Sequence, residues 1–77
     1  MEQAYVLIQT EVGRSHQVAA AIAALAGVIS TSEVTGPYDI IVRVGADSLE
    51  ALAEVVLERI QAVDGITRTL TCTITNP

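Results

Sequence analysis

Apolar residues recur with helical spacing in two segments of the chain, and each of these segments stands between stretches rich in β-forming residues. In the first segment, Val18, Ile22 and Leu25 follow one another at i, i+4 and i+7. A longer helical stripe lies in the second half and comprises Leu49, Leu52, Ala53, Val56, Ile60 and Val63. The sequence therefore predicts strands over residues 4–10, 28–35, 39–44 and 66–75, with helices over residues 16–26 and 47–64.

The resulting βαββαβ order is that of the ferredoxin-like α+β fold. Right-handed crossovers then place both helices on one face of a four-stranded antiparallel sheet. Since no linker or low-complexity segment interrupts the pattern, we predict a single domain over residues 1–77. Ser15 is the expected cap of the first helix, and Asp47 with Glu50 forms a capping-box-like pair at the start of the second.

A chain of 77 residues has difficulty burying enough surface for a stable core. A domain of this size covers only about 60% of the surface that its unfolded chain exposes. Neither a disulfide nor a Cys/His zinc site can add stability, because Cys72 and His16 are each the only residue of their type. With 51% apolar residues, the sequence instead predicts association with another subunit.

Alternation along the strands predicts which side chains face the helices. In the last strand we expect Leu70, Cys72 and Ile74 to lie under the helices. By the same rule the inward residues of the first and third strands are Val6, Ile8, Ile40, Val42 and Val44. The face turned away from the helices, here called the open face, would then carry Tyr5, Leu7, Gln9, Ile41, Arg43, Thr67, Thr69, Thr71, Thr73 and Thr75. Such a mixed surface is typical of a sheet-to-sheet dimer interface, although an ordinary solvated face fits the same pattern.

The charge balance and hydropathy exclude some partners. Nine acidic residues against four arginines, with no lysine, give a net charge of −5, whereas a nucleic-acid surface needs clustered positive charge. No run approaches the ~18 consecutive apolar residues of a membrane span, and Met1-Glu2 does not begin a signal peptide. We therefore expect a cytoplasmic protein without a direct nucleic-acid or membrane partner.

The residues that carry chemistry do not form a catalytic group. His16 has no evident partner, and Cys72 is expected to be a buried small hydrophobe. Glu50, Glu54 and Glu58 repeat at helical spacing and indicate a solvated face. Without a nucleophile-base pair, a metal cluster or a phosphate-binding glycine loop, we expect no enzymatic activity, no metal and no cofactor.

A candidate small-molecule site lies in the turn Thr35-Gly36-Pro37-Tyr38-Asp39. Gly36 lets a ligand approach the backbone, and Pro37 fixes the turn. The N–H groups of Gly36, Tyr38 and Asp39 can bind a carboxylate, and the Asp39 side chain can bind an ammonium group. These are the two charged ends of an amino-acid zwitterion. The alternative is that Gly36-Pro37 is an ordinary hairpin turn and that Asp39 caps it.

Two segments of the chain resemble the Lrp/AsnC regulators of amino-acid metabolism, specifically their C-terminal effector domain, the RAM domain. Gly36 to Asp39 matches the Gly-x-x-Asp turn that precedes the third strand in that family. Gly65 to Thr71 matches the Gly-Val/Ile-x-x-x-x-Thr pattern that opens the fourth. The resemblance covers nearly the whole chain, including the βαββαβ order.

The resemblance implies a dimeric α/β barrel, in which two sheets pack face to face and dimers join into rings. Family members bind a free amino acid between dimers, near the Gly-x-x-Asp turn. The ligand-binding residues implied here are Thr35, Gly36, Pro37, Tyr38 and Asp39, with Thr69 and Thr71 from a neighbouring strand. Family regulators also carry an N-terminal helix-turn-helix. Because this chain starts at Met1 directly before the first strand, we expect a stand-alone domain that tunes full-length Lrp/AsnC regulators.

Other classes stay open. An ACT-like domain shares the βαββαβ order and also senses amino acids, but it would use the loop 11–15, where Gly13 can admit a ligand. A small dimeric α/β-barrel enzyme would need a deep cavity between helices and sheet, with a His or Trp in it, and the chain has no Trp. A purely structural assembly module is a further alternative.

Overall fold

The computed structural model describes residues 1–75, which form one antiparallel sheet and two helical segments. The strands are β1 (Glu2–Thr10), β2 (Val28–Glu33), β3 (Ile40–Ala46) and β4 (Ile66–Thr73). The helices are α1 (Ser15–Ala23) and α2 (Leu49–Glu54), and α2 continues as a π-helical segment (Val55–Ile60). The strand order β2-β3-β1-β4 confirms the ferredoxin-like fold. The last two residues of the predicted domain 1–77 lie outside the described residues.

The core lies between the sheet and the helices, as predicted, and alternate residues of β1 and β3 form its floor. None of the helical segments within residues 1–75 is long and apolar enough to cross a membrane. The sheet residues of the core are Ala4, Val6, Ile8, Ile40, Val42 and Val44, and the helical ones are Val18, Ala19, Ile22, Leu52, Val55, Val56 and Ile60. Burial of each large aliphatic side chain contributes about 1.5–3 kcal/mol to the free energy of folding.

The helix starts differ from the predicted ones. A tight turn, in which Arg14 N–H donates to Glu11 O at 3.0 Å, makes Arg14 the N-cap of α1, so Ser15 is already helical. At α2 the cap is Ser48, whose Oγ accepts a hydrogen bond from Ala51 N–H at 3.1 Å. The predicted Asp47-Glu50 pair is one residue too early, because the hydroxyl of Ser48 reaches the third helical N–H.

The buried residues of the second helix differ from the predicted stripe. The bond from Gln61 N–H to Val56 O joins residues five apart, so the last turn is wider than an α-turn. Val55 comes before this turn, three residues after Leu52, and it lies in the core although the predicted stripe did not include it. Leu49 and Ala53, which the stripe did include, are exposed instead.

The loop between α1 and β2 packs against the π-helical segment (Val55–Ile60) at Gly27. Gly27 has a φ of +93°, and its carbonyl accepts a hydrogen bond from Gly45 N–H at 2.8 Å. A Cβ at position 27 would lie 2.8 Å from Val55 Cγ2. Both the backbone conformation and the close approach of Val55 therefore call for glycine here.

The predicted faces of β4 are wrong. Leu70 pairs with Leu7, and Cys72 pairs with Tyr5. Directly opposite residues of antiparallel strands point to the same face, so Leu70 and Cys72 lie on the open face. Both are exposed within a single chain, and Cys72 is not the buried hydrophobe that alternation predicted.

A β-bulge at the start of β4 explains this inversion. The pairing of β1 with β4 shifts between Gln9 and Thr10, which leaves Thr67 as an extra residue in β4. One extra residue reverses the side-chain alternation beyond it. Ile66 still packs against the core. Past the bulge, the residues on the helix side of β4 are Thr69, Thr71 and Thr73, which the sequence analysis had placed on the open face.

The open face is consequently more apolar than predicted. A row of aliphatic side chains crosses three neighbouring strands and consists of Ile41, Leu7 and Leu70. Beside the row, Arg43 Nε and Nη2 donate to Gln3 Oε1 at 2.9 and 2.6 Å, and the guanidinium lies 6.0 Å from the ring centroid of Tyr5. These contacts hold the guanidinium of Arg43 beside Gln3 and Tyr5 on the open face.

Candidate functional site

The predicted ligand-binding turn joins β2 to β3 at one end of the sheet. Val34 N–H donates to Asp39 O at 2.9 Å and closes the loop, while Asp39 N–H donates to Ile8 O at 2.9 Å and ties the loop to β1. Gln9 Nε2 donates to Pro37 O at 2.7 Å. The turn is therefore anchored on its β1 side by both backbone and side chain.

Two of the three predicted backbone donors stay available. The N–H groups of Gly36 and Tyr38 make no backbone hydrogen bond with residues 1–75, whereas Asp39 N–H is bonded to Ile8. The φ of Gly36 is +159°, close to extended, and a Cβ there would meet nothing within 4 Å. Packing against residues 1–75 therefore does not require glycine at position 36, and these residues leave the space in front of it open.

The carboxylate of Asp39 is held by the end of β1. Its Oδ2 accepts hydrogen bonds from Thr10 N–H at 2.8 Å and from the Thr10 hydroxyl at 3.4 Å. The Asp39 side chain is partly buried, and among residues 1–75 its hydrogen bonds all pass through Oδ2. The aspartate thus joins β3 to β1 across the sheet, and its second oxygen remains for another partner.

Thr69 and Thr71 do not meet the turn within one chain. Both lie on the helix side of β4, which β1 separates from β3, so about 10 Å of sheet lies between them and β3. Thr69 Oγ1 accepts a hydrogen bond from Gln61 Nε2 at 3.2 Å, and Thr71 lines a groove beside α2. The grooves that contain these threonines include no residue of the turn.

Gln9 and Thr10 also belong to this candidate site, although the sequence did not point to them. Both stand at the end of β1, and the ferredoxin-like order pairs β1 with β3, so their place beside Asp39 follows once the register is known. His16 likewise has a partner that the sequence did not predict: its Nδ1 lies 2.9 Å from Glu33 Oε2 at the end of β2. Both of these side chains are exposed, so the pair adds little to stability.

A sheet with an open apolar face, and a turn that carries unbonded N–H donors beside an anchored carboxylate, define a small ligand-binding domain. A family model described as the Lrp/AsnC ligand binding domain matches residues 3–77. The chain belongs to this family, and the resemblance noted from Gly36 to Asp39 and from Gly65 to Thr71 is confirmed.

Solved structures agree with this assignment. TTHA0845 from Thermus thermophilus is 35% identical, with a TM-score of 0.93 over 100% of this chain and 96% of that one. AsnC of E. coli is 25% identical, with a TM-score of 0.90 over 99% of this chain and 52% of its own, so this chain spans about half of that regulator. The regulator NMB0573 of Neisseria meningitidis, solved as a complex with L-Met, is 17% identical and covers 97% of this chain and 50% of its own; its TM-score of 0.83 shows the shared fold. A comparison with curated proteins found no match.

Proposed function

We propose that this domain binds a free amino acid at the turn between β2 and β3 and acts as an effector-sensing domain of the Lrp/AsnC type. The proposal rests on one observation, that the N–H groups of Gly36 and Tyr38 make no hydrogen bond with residues 1–75 and lie beside the anchored carboxylate of Asp39. The N–H groups suit an α-carboxylate, and Asp39 suits an α-ammonium group. Because Thr10 already holds the carboxylate, little side-chain freedom is lost on binding.

The family supports this class of ligand. The matching family model describes a ligand-binding domain, and NMB0573 was solved with L-Met. The family match favours this proposal over an ACT-like site, in which the ligand would contact Gly13. Thr69 and Thr71 stay predictions, and the proposal does not depend on them. It concerns binding and includes no catalytic step.

We further propose that two copies associate through their open faces. The row formed by Ile41, Leu7 and Leu70 supplies an apolar centre, and Arg43 and Tyr5 supply a polar margin. The turn lies open at the end of the sheet, where another subunit can complete the pocket. A ligand bound in this way shifts assembly to the extent that its affinity differs between the assembly states. Mixed assemblies would then let the domain tune full-length relatives.

Titration calorimetry with each of the twenty amino acids tests the ligand proposal, using the wild type and Asp39→Asn. The asparagine keeps an oxygen for Thr10 N–H but loses the charge that the ammonium group needs. A charged hydrogen bond contributes about 1.5–3 kcal/mol. We therefore expect Asp39→Asn to bind the preferred amino acid about 10- to 100-fold more weakly, with little change in melting temperature.

Asp47→Asn is the matched control, because it removes the same charge from an exposed position before α2. It should bind as the wild type does. The proposal fails if no amino acid binds the wild type, or if Asp39→Asn binds as tightly as Asp47→Asn.

A further inference from the structure

The second helix presents an apolar row to solvent beside a groove. Leu49 is 59% exposed and Leu57 is 61% exposed, although both are large aliphatic residues. The groove has a volume of about 220 Å³, and its opposite wall is the helix side of β4, with Thr71 and Thr73. The helix wall consists of Leu49, Leu52, Ala53, Val56 and Leu57. This aliphatic wall continues outward from the core and has no cover within residues 1–75.

An acidic row runs along the same helix next to the apolar one. Glu50, Glu54 and Glu58 are all exposed, and none of them forms an ion pair within residues 1–75. Like charges four residues apart repel one another on a helix, so this row lowers helix stability in the isolated chain. A cationic partner would remove that repulsion.

The apolar row lines one groove along both parts of the second helix. Leu49 and Ala53 lie in the α-helical part and Leu57 lies in the π-helical part, and all three line the groove. Glu50, Glu54 and Glu58 each follow one of these residues in the sequence, so the acidic row runs beside the apolar one. π-helical turns are frequent at functional sites.

We propose that this groove docks a basic amphipathic helix of another protein. Aliphatic side chains at i and i+4 of that helix would enter the groove, and lysine or arginine residues on one flank would meet Glu50, Glu54 and Glu58. This surface is separate from the turn at Asp39, so the inference goes beyond the proposed function.

Charge favours such a partner over a second copy of this chain. A second copy brings a net charge of −5 toward the acidic row. Its cations are also largely engaged, because Arg14, Arg43 and Arg59 each donate hydrogen bonds within their own chain, to Asp64, Gln3 and Ala26. A basic segment would gain both apolar burial and ion pairs in one contact.

Fluorescence anisotropy with a labelled synthetic peptide tests this proposal. The probe is a 14-residue lysine-leucine helix with leucines at i and i+4 and lysines on one flank. A permuted peptide of the same composition, without the apolar stripe, is its control. We expect the patterned peptide to bind the wild type at least about ten-fold more tightly than the permuted one, an effect that about 1.4 kcal/mol of differential burial would produce.

Three variants locate the contact. Leu57→Ser and the double variant Glu54→Gln/Glu58→Gln should each weaken binding about ten-fold, which corresponds to about 1.4 kcal/mol. Val12→Ser, at a fully exposed apolar position outside the groove, should have no effect. The proposal is overturned if the patterned peptide does not bind, if both peptides bind equally, or if the groove variants bind as Val12→Ser does. It is also overturned if light scattering gives the Leu57→Ser variant a smaller assembly mass than the wild type, because a second copy of the chain would then occupy the groove.

Discussion

Replacing Leu70 with aspartate is expected to dissociate the proposed dimer into monomers at micromolar concentration. Leu70 ends the aliphatic row of the open face and is 47% exposed in the single chain. In a sheet-to-sheet dimer the substituted carboxylate would be buried against the partner, which costs several kcal/mol. A two-fold interface repeats the cost in each subunit, so dimer affinity should fall at least about 100-fold. Light scattering coupled to gel filtration measures the mass directly.

Leu57→Asp provides the matched control for this experiment. It makes the same chemical change at a leucine of similar exposure, but on the helix side of the molecule. The control should keep the mass of the wild type. A wild type that is monomeric at micromolar concentration would refute the dimer proposal, and so would a Leu70→Asp variant with an unchanged mass.

Gly27→Ala is expected to lower the melting temperature by about 10 °C or more at fixed protein concentration. The positive φ of Gly27 costs an L-residue about 1–2 kcal/mol. The added Cβ would also lie 2.8 Å from Val55 Cγ2, and such overpacking costs about 1–3 kcal/mol more. For a domain of this size each kcal/mol corresponds to about 4–8 °C. Thermal unfolding followed by circular dichroism provides the measurement.

Gly13→Ala separates these two contributions. Gly13 has a similar φ of +81°, but a Cβ there would meet nothing within 4 Å. The Gly13→Ala variant should therefore lose only the stability that a positive φ costs an L-residue. The difference between the stability losses of Gly27→Ala and Gly13→Ala measures the clash of the added Cβ with Val55. The double variant Gly27→Ala/Val55→Ala should therefore lose less stability than the sum of the losses of its two single variants. Equal losses for the two glycines would contradict the packing that the structure shows around Val55.

Element order and the inward residues of β1 and β3 followed from the sequence because alternation there is uninterrupted. The faces of β4 did not, because the extra residue, Thr67, itself begins the series of threonines at every second position up to Thr75, so the sequence shows no break in alternation there. Val55 was missed for a different reason, because the predicted stripe included Ala53 and left out the position three residues after Leu52, which lies on the same helix face.

The contacts around the candidate site followed from the sequence only in part. The sequence located the turn and its donors, but not the anchoring of Asp39 by Thr10, because that contact joins residues 29 apart and depends on strand register. Thr69 and Thr71 came from the family pattern, and the structure places them on the helix side, away from the turn of their own chain. Local chemistry was therefore visible in the sequence, whereas distances between distant segments were not.

The inversion of β4 also exposes a thiol whose labelling can report on the association of two copies. Cys72 is the single cysteine of the sequence, and the bulge turns it outward beside Tyr5. A thiol reagent would therefore modify the native chain at one position, on the edge strand of the surface through which we propose that two copies join. Its labelling rate as a function of protein concentration would report the dissociation constant of that contact without any substitution, and addition of an amino acid would reveal whether ligand and assembly are linked.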